Sequence, residues 1–101
     1  RQLLAGLGRL QDRHPLIGDV RGSGLFLGVE LVRDRSTRLP APDEAAWVVE
    51  RLRERGVLTG TDGPHHNVLK LRPPLVFDGD DVELFLATLD EVLQEDGAQP
   101  G

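Results

Sequence analysis

The sequence contains no cysteine, which excludes a disulfide framework and any cysteine-ligated metal site. That absence fits a reducing compartment, and a cytoplasmic setting is expected. Aromatic residues are scarce, at 4% with a single Trp, so the core must be built mainly from Leu, Val and Ala. No apolar run approaches the roughly 20 residues of a membrane helix, so no membrane partner is expected. Lysine occurs once, at Lys70; the other eleven of the twelve basic residues are Arg. The net charge is −5 and no basic patch is interleaved with aromatics, so nucleic acid is not expected as a partner.

What is present is a one-domain length of 101 residues, with 39% apolar and 29% charged residues. That balance suits a folded domain with a modest core and a solvated surface. No signal-peptide pattern is visible. The chain opens on Arg1 rather than Met, and its first helix has no visible cap, so it is read as a piece of a longer protein.

Leu3, Leu4, Leu7 and Leu10 follow helical spacing over residues 2–13, and His14-Pro15 ends that helix. A glycine-punctuated extended segment, 16–24, leads into Leu25, Leu27, Val29 and Leu31, which alternate with Phe26, Gly28, Glu30 and Val32. A period of two predicts a strand with both faces largely covered. Residues 33–41 read as an exposed connection. Pro42, Asp43 and Glu44 suit the first turn of a helix whose stripe is Ala45, Val48, Val49 and Leu52, stopped by Gly56. Val57–Thr59 reads as a short strand, Gly60–Pro64 as a turn and Val68–Arg72 as another strand closed by Pro73-Pro74. Asp80 and Glu83 have capping-box spacing for a last helix with Val82, Phe85, Leu86, Leu89 and Leu93 on one face. The acidic residues of that helix read as its solvated side.

The expected fold class is therefore α+β: a small, mostly antiparallel sheet with helices packed on one face. The Phe26/Gly28 face then awaits cover from a neighbouring domain or subunit.

Three stretches together resemble the C-terminal small domain of class III aminotransferases. These are Asp19-Val20-Arg21-Gly22-Ser23-Gly24-Leu25-Phe26-Leu27-Gly28-Val29-Glu30-Leu31, the helical segment Ala41 to Gly56, and Val68-Leu69-Lys70-Leu71-Arg72-Pro73-Pro74-Leu75; residues 80–95 match the terminal helix. Thr61-Asp62-Gly63-Pro64, Asn67-Val68-Leu69-Lys70 and Thr37-Arg38-Leu39-Pro40-Ala41 are similar to the branch of ethanolamine-phosphate and 5-phosphohydroxylysine phospho-lyases, with alanine–glyoxylate aminotransferase-like members nearby. The resemblance implies a type I fold, a homodimer, and pyridoxal phosphate held by a large domain that this chain lacks. It implies that residues 1–96 form the small domain; the tail, polar with Gly and Pro, is expected to fray over 97–101. The small-molecule substrate would be an amine or a phosphorylated amine. The chain alone is expected to be inactive.

Within that resemblance, an Arg that grips substrate carboxylate commonly stands three residues before the Pro-Pro. Here the position is Lys70, a point charge rather than a planar fork, which suits a phosphate. The plainer reading is a strand lysine with a packed stem and a solvated head. As the sole lysine it is also the sole candidate for the cofactor-bearing amine, but the resemblance places that lysine upstream. Arg72, His66 and Asp62 stand behind Lys70 as substrate-binding candidates; no catalytic, cofactor-binding or metal-ligating residue is assigned. Gly22-Ser23-Gly24 precedes a strand rather than a helix, so it reads as a strand-entry bend instead of a phosphate loop. Gly60 to Gly63 reads as a plain turn before an anion nest. His65 and His66 are adjacent and would diverge in an extended chain, so surface positions are the plainer reading for them. The alternative to an enzyme domain is a stand-alone α+β module that binds a ligand or partner without catalysis.

Overall fold

The structure is a computed structural model and describes residues 2–23, 26–57, 59–71, 79–95 and 98. Helix α1 (Gln2–Arg13) leads into strands β1 (Ile17–Ser23), β2 (Phe26–Asp34) and the short β3 (Leu39–Pro40). Helix α2 (Pro42–Glu54), strands β4 (Gly60–Asp62) and β5 (Val68–Leu71), and helix α3 (Gly79–Leu93) follow. The sheet order is β1-β2-β5-β4, with β3 on β2, and every pairing among the described strands is antiparallel.

Alternation along β2 drives Leu27, Val29 and Leu31 into the core, and Leu69 and Leu71 of β5 join them. Leu3, Leu7 and Leu10 of α1, Ala45, Val48 and Leu52 of α2, and Val82, Leu89, Val92 and Leu93 of α3 pack into the same cluster. All three helices thus bury their apolar stripes against one sheet face, as the α+β reading anticipates. The other face differs from expectation. Along it Phe26 is 37% exposed and Gly28 and Glu30 are partly exposed, while Val32 is fully buried, so the second face is only partly covered.

The connection read at 33–41 is not simply exposed coil. Arg33 forks onto Glu44, with Nε 2.9 Å from Oε2 and Nη2 3.0 Å from Oε1. Arg35 donates to the carbonyls of Gln11, His14 (3.0 Å) and Ile17 (3.2 Å), so it caps the end of α1 from a distant turn. Of the strand expected at Val57–Thr59, Leu58 lies outside the described residues, Val57 and Thr59 are not in a strand, and the strand that follows α2 is Gly60–Asp62. The cause is the end of α2: Gly56 sits at φ 86, its N–H donates to the Arg53 carbonyl, and the Val57 N–H donates to Leu52. This is a Schellman closure, which uses the Val57 amide that a strand would need. Asp80 lies inside α3 rather than at its cap, because the helix already begins at Gly79. Asp80 and Asp81 still suit the positive end of the helix. Ala98, inside the segment expected to fray, is buried against the core.

Asp90 of α3 is not a solvated acid. Its Oδ1 lies 2.6 Å from Nε2 of the buried His14, and Arg13 donates to its Oδ2 at 2.9 Å. Burial raises the Asp90 pKa, but hydrogen bonds from His14 and Gln94 and the Arg13 charge outweigh it, leaving the carboxyl below its ordinary range. Glu44 follows the same logic: burial raises its pKa, and the Arg33 fork brings it net below the ordinary value. A depressed carboxyl pKa stabilises the fold above the unfolded value and loses that contribution as pH falls through the folded one. Urea midpoints should therefore fall between about pH 5 and about pH 2. The Asp90→Asn variant should start less stable and show a shallower fall; an unchanged slope would exclude Asp90 as a source.

Candidate functional site

Strand β5 lies between β2 and β4, and its alternation sends Leu69 and Leu71 inward and Lys70 outward. Lys70 stands opposite Gly28 on one side and Gly60 on the other. Neither neighbour carries a side chain, so the lysine stem crosses the sheet without lateral crowding. Its Nζ lies 3.8 Å from Oδ2 of Asp62 and 4.5 Å from the centroid of the Phe26 ring. The Lys70 and Asp62 side chains remain 46% and 63% exposed, so the pair is solvent-screened and loosely held. A cation over an aromatic face is attracted without being neutralised.

The rest of the face is charge-balanced. Glu30 accepts from Arg38 and lies 3.6 Å from Arg21, while Arg21 also lies 3.5 Å from Asp19. These carboxylates are already engaged by guanidinium groups. Asp62 differs in meeting an ammonium, 3.8 Å away, rather than a guanidinium.

The structure thus brings Lys70 and Asp62 together. His66 is exposed in the turn between β4 and β5, with a positive φ of 52. Arg72 lies outside the described residues, as does the Pro73-Pro74 segment. The expected turn at Gly60–Pro64 shifts to residues 63–66, since Gly60–Asp62 pair with β5. Gly63 at φ 88 and the His66 N–H bonded to the Gly63 carbonyl at 3.2 Å reverse the chain there. Asn67 anchors this hairpin: its buried Nδ2 donates to the Leu31 carbonyl at 2.8 Å, and the Leu31 N–H donates back to the Asn67 carbonyl at 2.8 Å. Sequence reasoning missed Asn67 and Phe26 as site-shaping residues. The signal for Phe26 was its shared face with Gly28; for Asn67 it was a polar residue set between a turn and an apolar strand.

Among the described residues no three His, Asp or Glu side chains converge as metal donors, and no helix is long and apolar enough to cross a membrane. Pyridoxal phosphate does not fit this donor set. Lys70, the sole lysine, stands exposed on an open sheet face rather than in a cradle, and α3 opens on Asp80 and Asp81, which disfavour a phosphate at that end.

The sequence model of the aminotransferase class-III family matches residues 1–93. The chain is 46% identical over 92 residues to "Alanine–glyoxylate aminotransferase 2-like" of Drosophila melanogaster, covering 90% of this chain and 19% of that protein. It is 44% identical over 93 residues to "Ethanolamine-phosphate phospho-lyase homolog 1" of Caenorhabditis elegans, covering 91% of this chain and 20% of that one. A phospholyase from Arthrobacter, solved in complex with phosphoethanolamine, superposes with a TM-score of 0.82 at 41% identity, over 90% of this chain and 22% of the other. The chain therefore spans about a fifth of the length of the curated relatives it matches.

The β4–β5 turn sets where Asp62 and Lys70 meet, and its backbone gives a test. A side chain at Gly63 would be strained by its φ of 88 and would meet Cγ2 of Val68 at 3.2 Å. Gly63→Ala should cost about 1–2 kcal/mol in urea unfolding, whereas His66→Gly should be neutral or stabilising. The opposite order would show that the turn is not built this way.

Proposed function

Because this chain belongs to the class-III aminotransferase family, we propose that it is the C-terminal small domain of a pyridoxal-phosphate enzyme acting on a phosphorylated amine. Residues 1–96 form that domain and 97–101 its tail, of which Ala98 packs back on the core. The cofactor sits on a large domain outside this chain; when bound, it supplies the electron sink for chemistry at the amine-bearing carbon. This chain supplies a wall. Its Phe26/Gly28/Lys70 face turns toward the large domain in a homodimer, and the cytoplasm is its compartment.

The observation that carries the reading is the Lys70 ammonium, projected outward between Gly28 and Gly60. A compact ammonium neutralises a phosphate without the fixed geometry that an Arg fork imposes on a carboxylate. Asp62 flanks that approach, and His66 and Arg72 stand as further candidates for substrate contact. The Arthrobacter phospholyase was solved with phosphoethanolamine, a phosphorylated amine, which supports this reading. The overall reaction is either elimination of phosphate or transfer of the amino group.

The full-length protein tests this. Lys70→Ala should lower kcat/KM for ethanolamine phosphate by about 10- to 100-fold, the loss of a charged hydrogen bond, while cofactor absorbance is retained. Equal loss of substrate use and cofactor would count against the role. Phosphate release with no keto acid present marks a lyase, and strict dependence on a keto acid marks an aminotransferase.

A further inference from the structure

We propose that Asp62 is a built-in counter-ion, displaced from Lys70 when a phosphate binds and returning when it leaves, and that Phe26 is the positioning residue that holds Lys70 through the exchange. The inference rests on Lys70 being the phosphate contact. It goes further by assigning opposite roles to the two groups that touch the ammonium.

Asp62 Oδ2 and the Phe26 ring both reach Nζ, at 3.8 Å and 4.5 Å. They differ in charge. The carboxylate competes with any arriving anion for the same ammonium, and it repels that anion. The ring is neutral, so it competes for no anion and remains attractive after Asp62 has moved aside. The exposure of Asp62, at 63%, leaves its side chain room to swing into water. No covalent step is involved; one anion replaces another on a fixed cation. Such a site binds phosphate less tightly than a bare lysine would, which hastens departure of a phosphate-bearing product. With glycines opposite Lys70 on both neighbouring strands, Phe26 and Asp62 are the groups among the described residues that reach the ammonium.

The test is inhibition of the full-length holoenzyme by inorganic phosphate. Asp62→Asn should lower the phosphate inhibition constant about 2- to 5-fold, the scale of an exposed ion pair. Phe26→Leu should raise it about 2- to 5-fold, with recovery in Phe26→Tyr, which keeps the ring. Both effects should vanish in a Lys70→Ala background, because each acts through the ammonium. A rise in Asp62→Asn, or effects that persist without Lys70, would overturn the inference. If Lys70→Ala alone leaves phosphate inhibition unchanged, the phosphate role of Lys70 fails first, and the inference fails with it.

Discussion

The orientation of Lys70 depends on the leucines on either side of it. Leu69 and Leu71 are buried in the core cluster, and a strand with two inward leucines must turn the residue between them outward. A register slip of one residue would place the ammonium among Leu, Val and Ala side chains and both leucines in water. Burying an unpaired charge is costly enough to make that slip self-defeating. The hydrophobic core and the polar site are thus one constraint seen from two sides of the sheet.

Behind the sheet, long-range polar contacts fix the helices that hold the leucines in place. Arg33 grips Glu44 at the start of α2, and Arg51 grips Glu95 beyond the end of α3, with Nε 2.8 Å from Oε1. His14 and Arg13 converge on Asp90, joining α1 to α3. Arg35 gathers three carbonyls at the exit of α1. Arginine suits these places, because a planar fork can satisfy several acceptors at once. The one lysine stands where no such fork is needed.

Local periodicity made much of this legible. The stripe Leu3, Leu7, Leu10 and the alternation Leu27, Val29, Leu31 identify α1 and β2 and assign their buried faces. The same alternation places Phe26 and Gly28 on the outward side. It does not say which strand lies beside β2, and only the β2–β5 pairing puts Phe26 within reach of Lys70. The position of β4 was hidden for another reason: Val57 looks like a strand residue, but its amide closes α2. Asp90 was read as solvated because its partner His14 lies 76 residues away, beyond any local pattern. Fold class follows from short-range repetition, whereas the site is assembled from contacts between distant strands.

The pairing of Lys70 with weak partners has a consequence for the chemistry this face can support. A strong, buried ion pair would hold the ammonium firmly but would resist exchange, since separating buried charges leaves both poorly solvated. Asp62 and Lys70 are both half in water, so their separation is compensated by hydration. The Phe26 ring restrains the cation without using up its charge. Replacing Lys70 by Arg would add donors able to hold Asp62 and a phosphate together, converting an exchange into a shared complex. A lysine between two glycines, with one exposed acid and one ring in reach, is the arrangement suited to an anion that must both arrive and leave.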